Sequence, residues 1–173
     1  MSSPGGSGFQ TYWLSATVEH VSPKSQPTVG PAGPDDVRGC SVEAALSAFG
    51  DKWSLLAVRE IARGTTRFDA MLRETGASRD MLTNRLRRLE DVGVVHRVAY
   101  QDRPPRHDYL LTASGADLLP VLVALRAWGD KHVPGIAPDL LVHDCGATVD
   151  PVTACRACGE ELAPQDVTFV ERS

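Results

Sequence analysis

The chain has 173 residues, 42% hydrophobic and 23% charged, with a formal net charge of −4, which suits one ordinary globular domain with appendages. No apolar run approaches the roughly 18 residues of a membrane span, and no cationic segment leads into an apolar stretch as in a secretory signal, so a cytoplasmic protein is expected. The charge is uneven: residues 37–133 hold 15 Lys and Arg against 12 Asp and Glu, residues 1–36 one against three, and residues 134–173 two against seven. The acidic total therefore hides a basic middle, nearly all arginine, whose planar fork suits phosphate and guanine.

Residues 1–36 are rich in Gly, Ser and Pro. Such sequence buries too little apolar surface to offset the cost of ordering its backbone, so the segment is expected to be disordered. From Cys40 the pattern tightens. Ser41 is placed to cap a helix whose Val42, Ala45, Leu46 and Phe49 recur at i, i+3, i+4 and i+7, with Gly50 as its stop. Asp51 caps a second helix that turns Trp53, Leu56, Ala57 and Ile61 inward and ends near Gly64. Thr66 precedes a third, with Phe68, Met71 and Leu72 on one face and Gly76 closing it. Ser78 caps a fourth, with Leu82, Leu86 and Leu89 as the buried stripe and Gly93 at its end. Two short helices joined by a three-residue turn holding a glycine make a helix-turn-helix.

Two β-type runs follow, VVHRVAY and HDYLLT, around QDRPPR, whose prolines favour a turn. A hairpin at this point makes a winged helix. A last helix runs from about Thr112 towards Val133 with a break at Pro120. Its PVLVALRAW segment is apolar on more than one face, which points to a partner. Residues 134–173 have Pro, Gly and cysteines without helical period, and read as a small separate unit. The expected fold is mainly α with a small β-hairpin: a winged helix-turn-helix over residues 37–133, followed by a cysteine-rich, zinc-ribbon-like tail.

The fourth helix and the hairpin carry the basic charge, and a duplex is the partner it fits. Opposite Leu82, Leu86 and Leu89, the helix presents Arg79, Asp80, Thr83, Asn84, Arg87 and Arg88 beyond its cap Ser78. The first turns of a recognition helix face base edges, so Arg79, Thr83 and Asn84 are the candidates for base contacts. Asp80 accepts from cytosine or orients Arg79. Arg85, Arg87 and Arg88 are assigned to phosphates, with Arg85 closer to the apolar stripe. Arg103 and Arg106 at the wing tip suit a minor groove or its walls. The competing reading is a solvated arginine face laced with acids.

Four cysteines remain. His143, Cys145, Cys155 and Cys158 lie within 16 residues, and Cys-x-x-Cys-Gly has the form of a zinc knuckle, so a structural zinc with these four ligands is expected. The alternatives are a Cys155–Cys158 redox pair or unliganded thiols. Cys40, near the start of the first helix, is a candidate redox sensor or a small buried residue.

The middle of the chain resembles the HxlR family of winged-helix transcriptional regulators, relatives of the MarR type, from Cys40 to about Trp128. The resemblance rests on Cys40, GDKW at 50–53, RF at 67–68, SRDMLTNRLRRLEDVGVVHR at 78–97, Tyr100, PPR at 104–106, YLLT at 109–112, Gly115, Pro120 and Trp128. Ser41 departs from it, standing where the family usually has proline. The resemblance implies a homodimeric bacterial regulator, more often a repressor, without catalysis. It implies dimer contacts through terminal helices and two-fold-related half-sites on double-stranded DNA. Some relatives answer aldehydes, quinones or oxidants through the cysteine matching Cys40. The tail resembles an extension found in some actinobacterial members.

The expected function is sequence-specific DNA binding as a homodimer through the C-terminal helix. The alternatives are a redox- or electrophile-responsive regulator switched through Cys40 or the tail cysteines, and a winged-helix module that binds protein instead of DNA. An enzyme is not expected: the chain has no phosphate-cradling glycine loop and no HExxH.

Overall fold

A computed structural model describes residues 40–49, 51–135, 140–168 and 170. The expected disorder of residues 1–36 and the stop at Gly50 lie outside the described residues. The chain divides into two compact units, one ending at Leu119 and the other beginning at Pro120. Among the described residues no helix is long and apolar enough to cross a membrane.

The first unit holds α1 (Ser41–Phe49), α2 (Lys52–Ala62), α3 (Phe68–Thr75), α4 (Arg79–Asp91), β1 (Val95–Asp102), β2 (Pro105–Leu111) and the single turn α5 (Ala113–Ala116). Its core is Ala57, Val58 and Ile61 of α2, Met71 of α3, Leu82, Leu86 and Leu89 of α4, and Ala77, Val94 and Val95 from the links between them. The three leucines of α4 are fully buried, as their spacing requires. On α2 the buried residues are Ser54, Ala57, Val58, Glu60 and Ile61. Trp53 and Leu56, expected inside, are only half-buried. The Trp53 ring instead lies under the Lys52 ammonium, 4.5 Å from its centroid.

Caps set the helix ends. Asp51 accepts from the amides of Trp53 and Ser54 at 2.8 and 3.4 Å, and Ser78 from that of Met81 at 3.2 Å. Gly76, in the left-handed region at φ 69, closes α3. Ser41 does not cap α1 but is its first residue; the Cys40 carbonyl accepts from the Ala44 amide at 2.9 Å. No residue of α1 is buried: Val42 is 65% and Leu46 59% exposed. The helix expected to turn inward forms, but its apolar face is uncovered.

The hairpin is antiparallel, with a register shift between Ala99 and Gln101. It is tighter than expected. β2 begins at Pro105, opposite Asp102, so the tip is Arg103–Pro104 alone. Pro105 stands at the end of the ladder, where a missing N–H costs little. Thr66 and Arg67, read from sequence as the lead into α3, also flank the hairpin. The Thr66 carbonyl accepts from the Tyr109 amide at 2.9 Å, the Thr66 hydroxyl donates to Asp108 at 2.8 Å, and Arg67 bridges Asp108.

The second unit holds α6 (Leu119–His132) from Pro120 onward, and the tail. The break expected near Pro120 is present, with Pro120 the second residue of α6. The tail has isolated bridges at Val142–Thr148 and Ala154–Glu161 and one 3-10 turn, Pro164–Asp166. Val123, Arg126, Ala127 and Asp130 of α6 share a cleft of about 170 Å³ with Leu140, Leu141, Thr148, Val149 and Pro151. Val121, Leu125 and Trp128, at i, i+4 and i+7, are each more than half exposed.

The end of the hairpin depends on a close approach. The Thr112 hydroxyl donates to the Gly93 carbonyl at 2.6 Å and accepts from the Gly115 amide at 3.2 Å. A Cβ on Gly115 would lie 2.2 Å from the Val94 carbonyl oxygen. Gly115→Ala is therefore expected to destabilise the first unit by about 1–3 kcal/mol, measured by urea denaturation. Gly129→Ala, where nothing lies within 4 Å, is expected to be neutral or stabilising.

Candidate nucleic-acid interface

Burial of Leu82, Leu86 and Leu89 leaves Asp80, Asn84 and Arg87 exposed on the opposite face of α4. They stand at i, i+4 and i+7 and form one row. Arg79 and Thr83 flank it. Arg79 is turned towards α3, its Nη2 3.0 Å from Asp69 and its guanidinium 5.2 Å from the Phe68 ring centroid. The Thr83 hydroxyl donates back to the Arg79 carbonyl at 2.8 Å. Ser78 is engaged as the helix cap.

The arginines expected to grip phosphate divide into two groups. Arg85 pairs with Asp51 at 2.7 Å, and both side chains are less than one-third exposed. The Asp51 carboxylate thus starts α2 with one oxygen and holds α4 with the other. Arg88 donates from Nε to the Ala48 carbonyl at 3.0 Å and from Nη2 to that of Ser47. It supplies donors and positive charge to the end of α1, where carbonyls lack intrahelical partners. The side chains of Arg87, Arg103 and Arg106 are exposed and make no hydrogen bond or ion pair among the described residues.

The wing is braced from several sides. Arg97 pairs with Glu90 at 2.6 Å, joining β1 to α4. The Arg67 guanidinium lies 4.9 Å from the Tyr100 ring centroid. At the tip, the Gln101 side-chain amide donates to the Arg103 carbonyl at 3.0 Å. Burial pushes the Tyr109 hydroxyl above its ordinary pKa, against the pull of Arg97, so it stays neutral near pH 7. Sequence reading missed Asp69, Arg67 and Asp108 as organisers of this surface. Their partners are ten or more residues away, and no local pattern announces such pairs.

The remaining candidates lie elsewhere. Cys40 is exposed at the start of α1. His143 and Cys145 share one turn of the tail, and Cys155 and Cys158 another. Among the described residues, no three His, Cys, Asp or Glu side chains come together as a set that could hold a metal ion.

Comparison with known proteins agrees with this architecture. Residues 48–136 match the model of the HxlR-like helix-turn-helix family. The HTH-type transcriptional regulator Rv3095 of Mycobacterium tuberculosis is 42% identical over 133 residues, 75% of this chain and 84% of that protein. YdeP of Bacillus subtilis, also an HTH-type transcriptional regulator, is 37% identical over 99 residues, 57% of this chain and 77% of its own length. The crystal structure of PA1607, assigned as a transcription factor, superposes with a TM-score of 0.68 at 34% identity, covering 79% of this chain and 96% of that one. The redox regulator HypR in its reduced form gives 0.51 at 33% identity, over 55% of this chain and 95% of its own. Helix-turn-helix, wing and these likenesses converge: the chain belongs to the HxlR-like helix-turn-helix family of DNA-binding transcriptional regulators.

Proposed function

We propose that the chain acts as a homodimeric, sequence-specific repressor that seats α4 in the major groove and its wing against the adjacent minor groove. The division of the arginines carries this reading. Arg85 and Arg88 are engaged by other groups of the chain, whereas the side chains of Arg87, Arg103 and Arg106 stay exposed and unpaired among the described residues. Asn84 suits adenine, the Thr83 methyl suits thymine, and Arg79 has N–H donors left for guanine beyond its bond to Asp69. Asp80 accepts from cytosine. Arg87 grips phosphate, and Arg103 and Arg106 suit the negative potential of a narrow minor groove.

A second copy covers the apolar stripe of Val121, Leu125 and Trp128 on α6 and the exposed Val42 and Leu46 of α1. A two-fold dimer reads two-fold-related half-sites, with centres about 10 bp apart or a multiple of that. The repressor assignment follows the family resemblance, and a promoter fused to a reporter and titrated with the protein checks its sign.

Selection from a random duplex pool is expected to enrich such paired half-sites; no enrichment would sink the reading. On the selected site, Arg87→Ala and Arg106→Ala are each expected to flatten the salt dependence by about one unit of slope. Arg85→Ala and Arg88→Ala are expected to leave the slope unchanged and to lower stability by about 1 kcal/mol. Leu125→Asp is expected to give a monomer by sedimentation and to lose the two-half-site preference.

A second reading is an oxidant or electrophile response through Cys40. It is favoured by the exposure of Cys40 on a helix that Arg88 fastens to α4, and by the likeness to HypR. Cys40→Ser is expected to abolish any oxidant dependence of DNA binding, read by fluorescence anisotropy, without changing reduced-state affinity. An oxidant response that survives the substitution would rule Cys40 out.

A further inference from the structure

Arg79, the first residue of α4, meets the start of α3 at two points. Its Nη2 donates to the Asp69 Oδ1 at 3.0 Å, and its guanidinium lies over the Phe68 ring, 5.2 Å from the centroid. Phe68 and Asp69 are the first two residues of α3. The turn between the helices makes this meeting possible: Gly76, at φ 69, ends α3, and Ser78 caps α4. Arg73, one turn along α3, donates to the Asp69 backbone carbonyl at 3.2 Å rather than to its carboxylate.

Stability does not account for these contacts. The side chains of Arg79 and Asp69 are 65% and 72% exposed, and an ion pair so open to water adds little to stability. Its effect is on direction. A long arginine side chain loses rotamer freedom when it is fixed on a ligand, and a contact that fixes it beforehand removes that cost. The Phe68 ring limits the swing of the guanidinium on one side, and the Asp69 carboxylate limits its rotation. The Asp69 bond uses one of the two hydrogens on Nη2. If that hydrogen lies on the Nε side, the Nη1–Nη2 edge is free; if it is the other, the Nε–Nη2 edge is free. Either edge offers a parallel pair of N–H donors, the fork that matches O6 and N7 of guanine.

We propose that Asp69 is a positioning residue for sequence readout. With the Phe68 ring, it holds the Arg79 guanidinium for one guanine in each half-site and so sets the base preference at that pair. This deepens the reading of DNA through α4 and rests on it. The charge of Asp69 works in the opposite direction, because a carboxylate on a face turned to phosphates weakens binding to any duplex. Position and charge are therefore separable by sign. Removing the carboxylate relieves a repulsion on every sequence, and it loosens the readout at one base pair.

The test measures binding of the full chain by fluorescence anisotropy. The duplexes are the one it selects from a random pool, the same duplex with each base pair changed in turn, and an unrelated duplex. The unaltered chain is expected to prefer guanine at one pair of each half-site by about tenfold or more. Arg79→Ala is expected to erase the preference at that pair and at no other. Asp69→Ala is expected to lower it several-fold at the same pair, while binding the unrelated duplex at least as tightly as the unaltered chain does. Asp69→Asn, which keeps an acceptor oxygen for Arg79, is expected to retain more of the preference than Asp69→Ala. The double variant is expected to match Arg79→Ala. The proposal is overturned if Asp69→Ala keeps the full preference, which would make Asp69 only a restraint on Arg79 or a source of repulsion. It is also overturned if Asp69→Ala weakens all duplexes alike, if it still shifts base preference in the Arg79→Ala background, or if Arg79→Ala loses no preference. Failure of the unaltered chain to select any duplex removes the DNA reading and this inference with it. A selected duplex whose preferences ignore Asp69 removes this inference alone.

Discussion

The rotation of α4 about its own axis governs which of its side chains are left for a partner. Leu82, Leu86 and Leu89 are fully buried, and a helix of 3.6 residues per turn leaves no freedom once three such positions are fixed. Asp80, Asn84 and Arg87 must then face outward as a row. Arg85 and Arg88 flank the buried stripe and reach along the protein surface. Turning α4 far enough to free those two for a duplex would withdraw the leucines from the core, at roughly 1.5–3 kcal/mol for each side chain exposed. The hydrophobic stripe therefore does more than anchor the helix. It sorts the arginines into those that organise the domain and those left for a partner.

The arginines with partners in the chain tie α4 to its surroundings. Asp51 links the start of α2 to α4 through Arg85, and Arg88 links the end of α1 to the last turn of α4. Glu90 and Arg97 do the same for the wing. Each tie is half-exposed or near the surface, so its contribution to stability is modest. Its geometric effect is larger. An arginine fork on two carbonyls fixes direction as well as distance, so α1, α2 and β1 all constrain the orientation of α4. A substitution in any of them reaches the exposed face of α4 without touching it.

Much of this was legible in the sequence because its causes are local. Asp51, Ser78 and Gly76 end helices through atoms two to four residues away, and the leucine spacing of α4 needs no partner to be read. What escaped was long-range. Thr66 and Arg67 meet Asp108 across 40 or so residues of chain, and neither residue type marks a strand edge. Arg85 and Arg88 looked like phosphate contacts because composition shows their charge and not their counter-charge. Trp53 and Leu56 were placed one step off the buried face of α2, where Ser54, small enough for close packing, took the inward position. For α1 the periodicity was right, but among the described residues its Val42 and Leu46 stay exposed. An apolar stripe shows that something is buried, not what buries it, and Val42 and Leu46 share that ambiguity with Val121, Leu125 and Trp128.

The tail shows a different limit of reading by motif. Cys-x-x-Cys-Gly fixes a local turn, and that turn is present: the Cys155 carbonyl accepts from the Gly159 amide at 2.7 Å. A pair of thiols in such a turn suits a metal or a disulfide alike, so the motif alone does not choose between them. The choice depends on whether the remaining donors can reach the same point. No described residue from 140 to 168 is buried, so no core drives the two turns together. Cys155 and Cys158 already share one closed turn, whereas His143 and Cys145 sit on another.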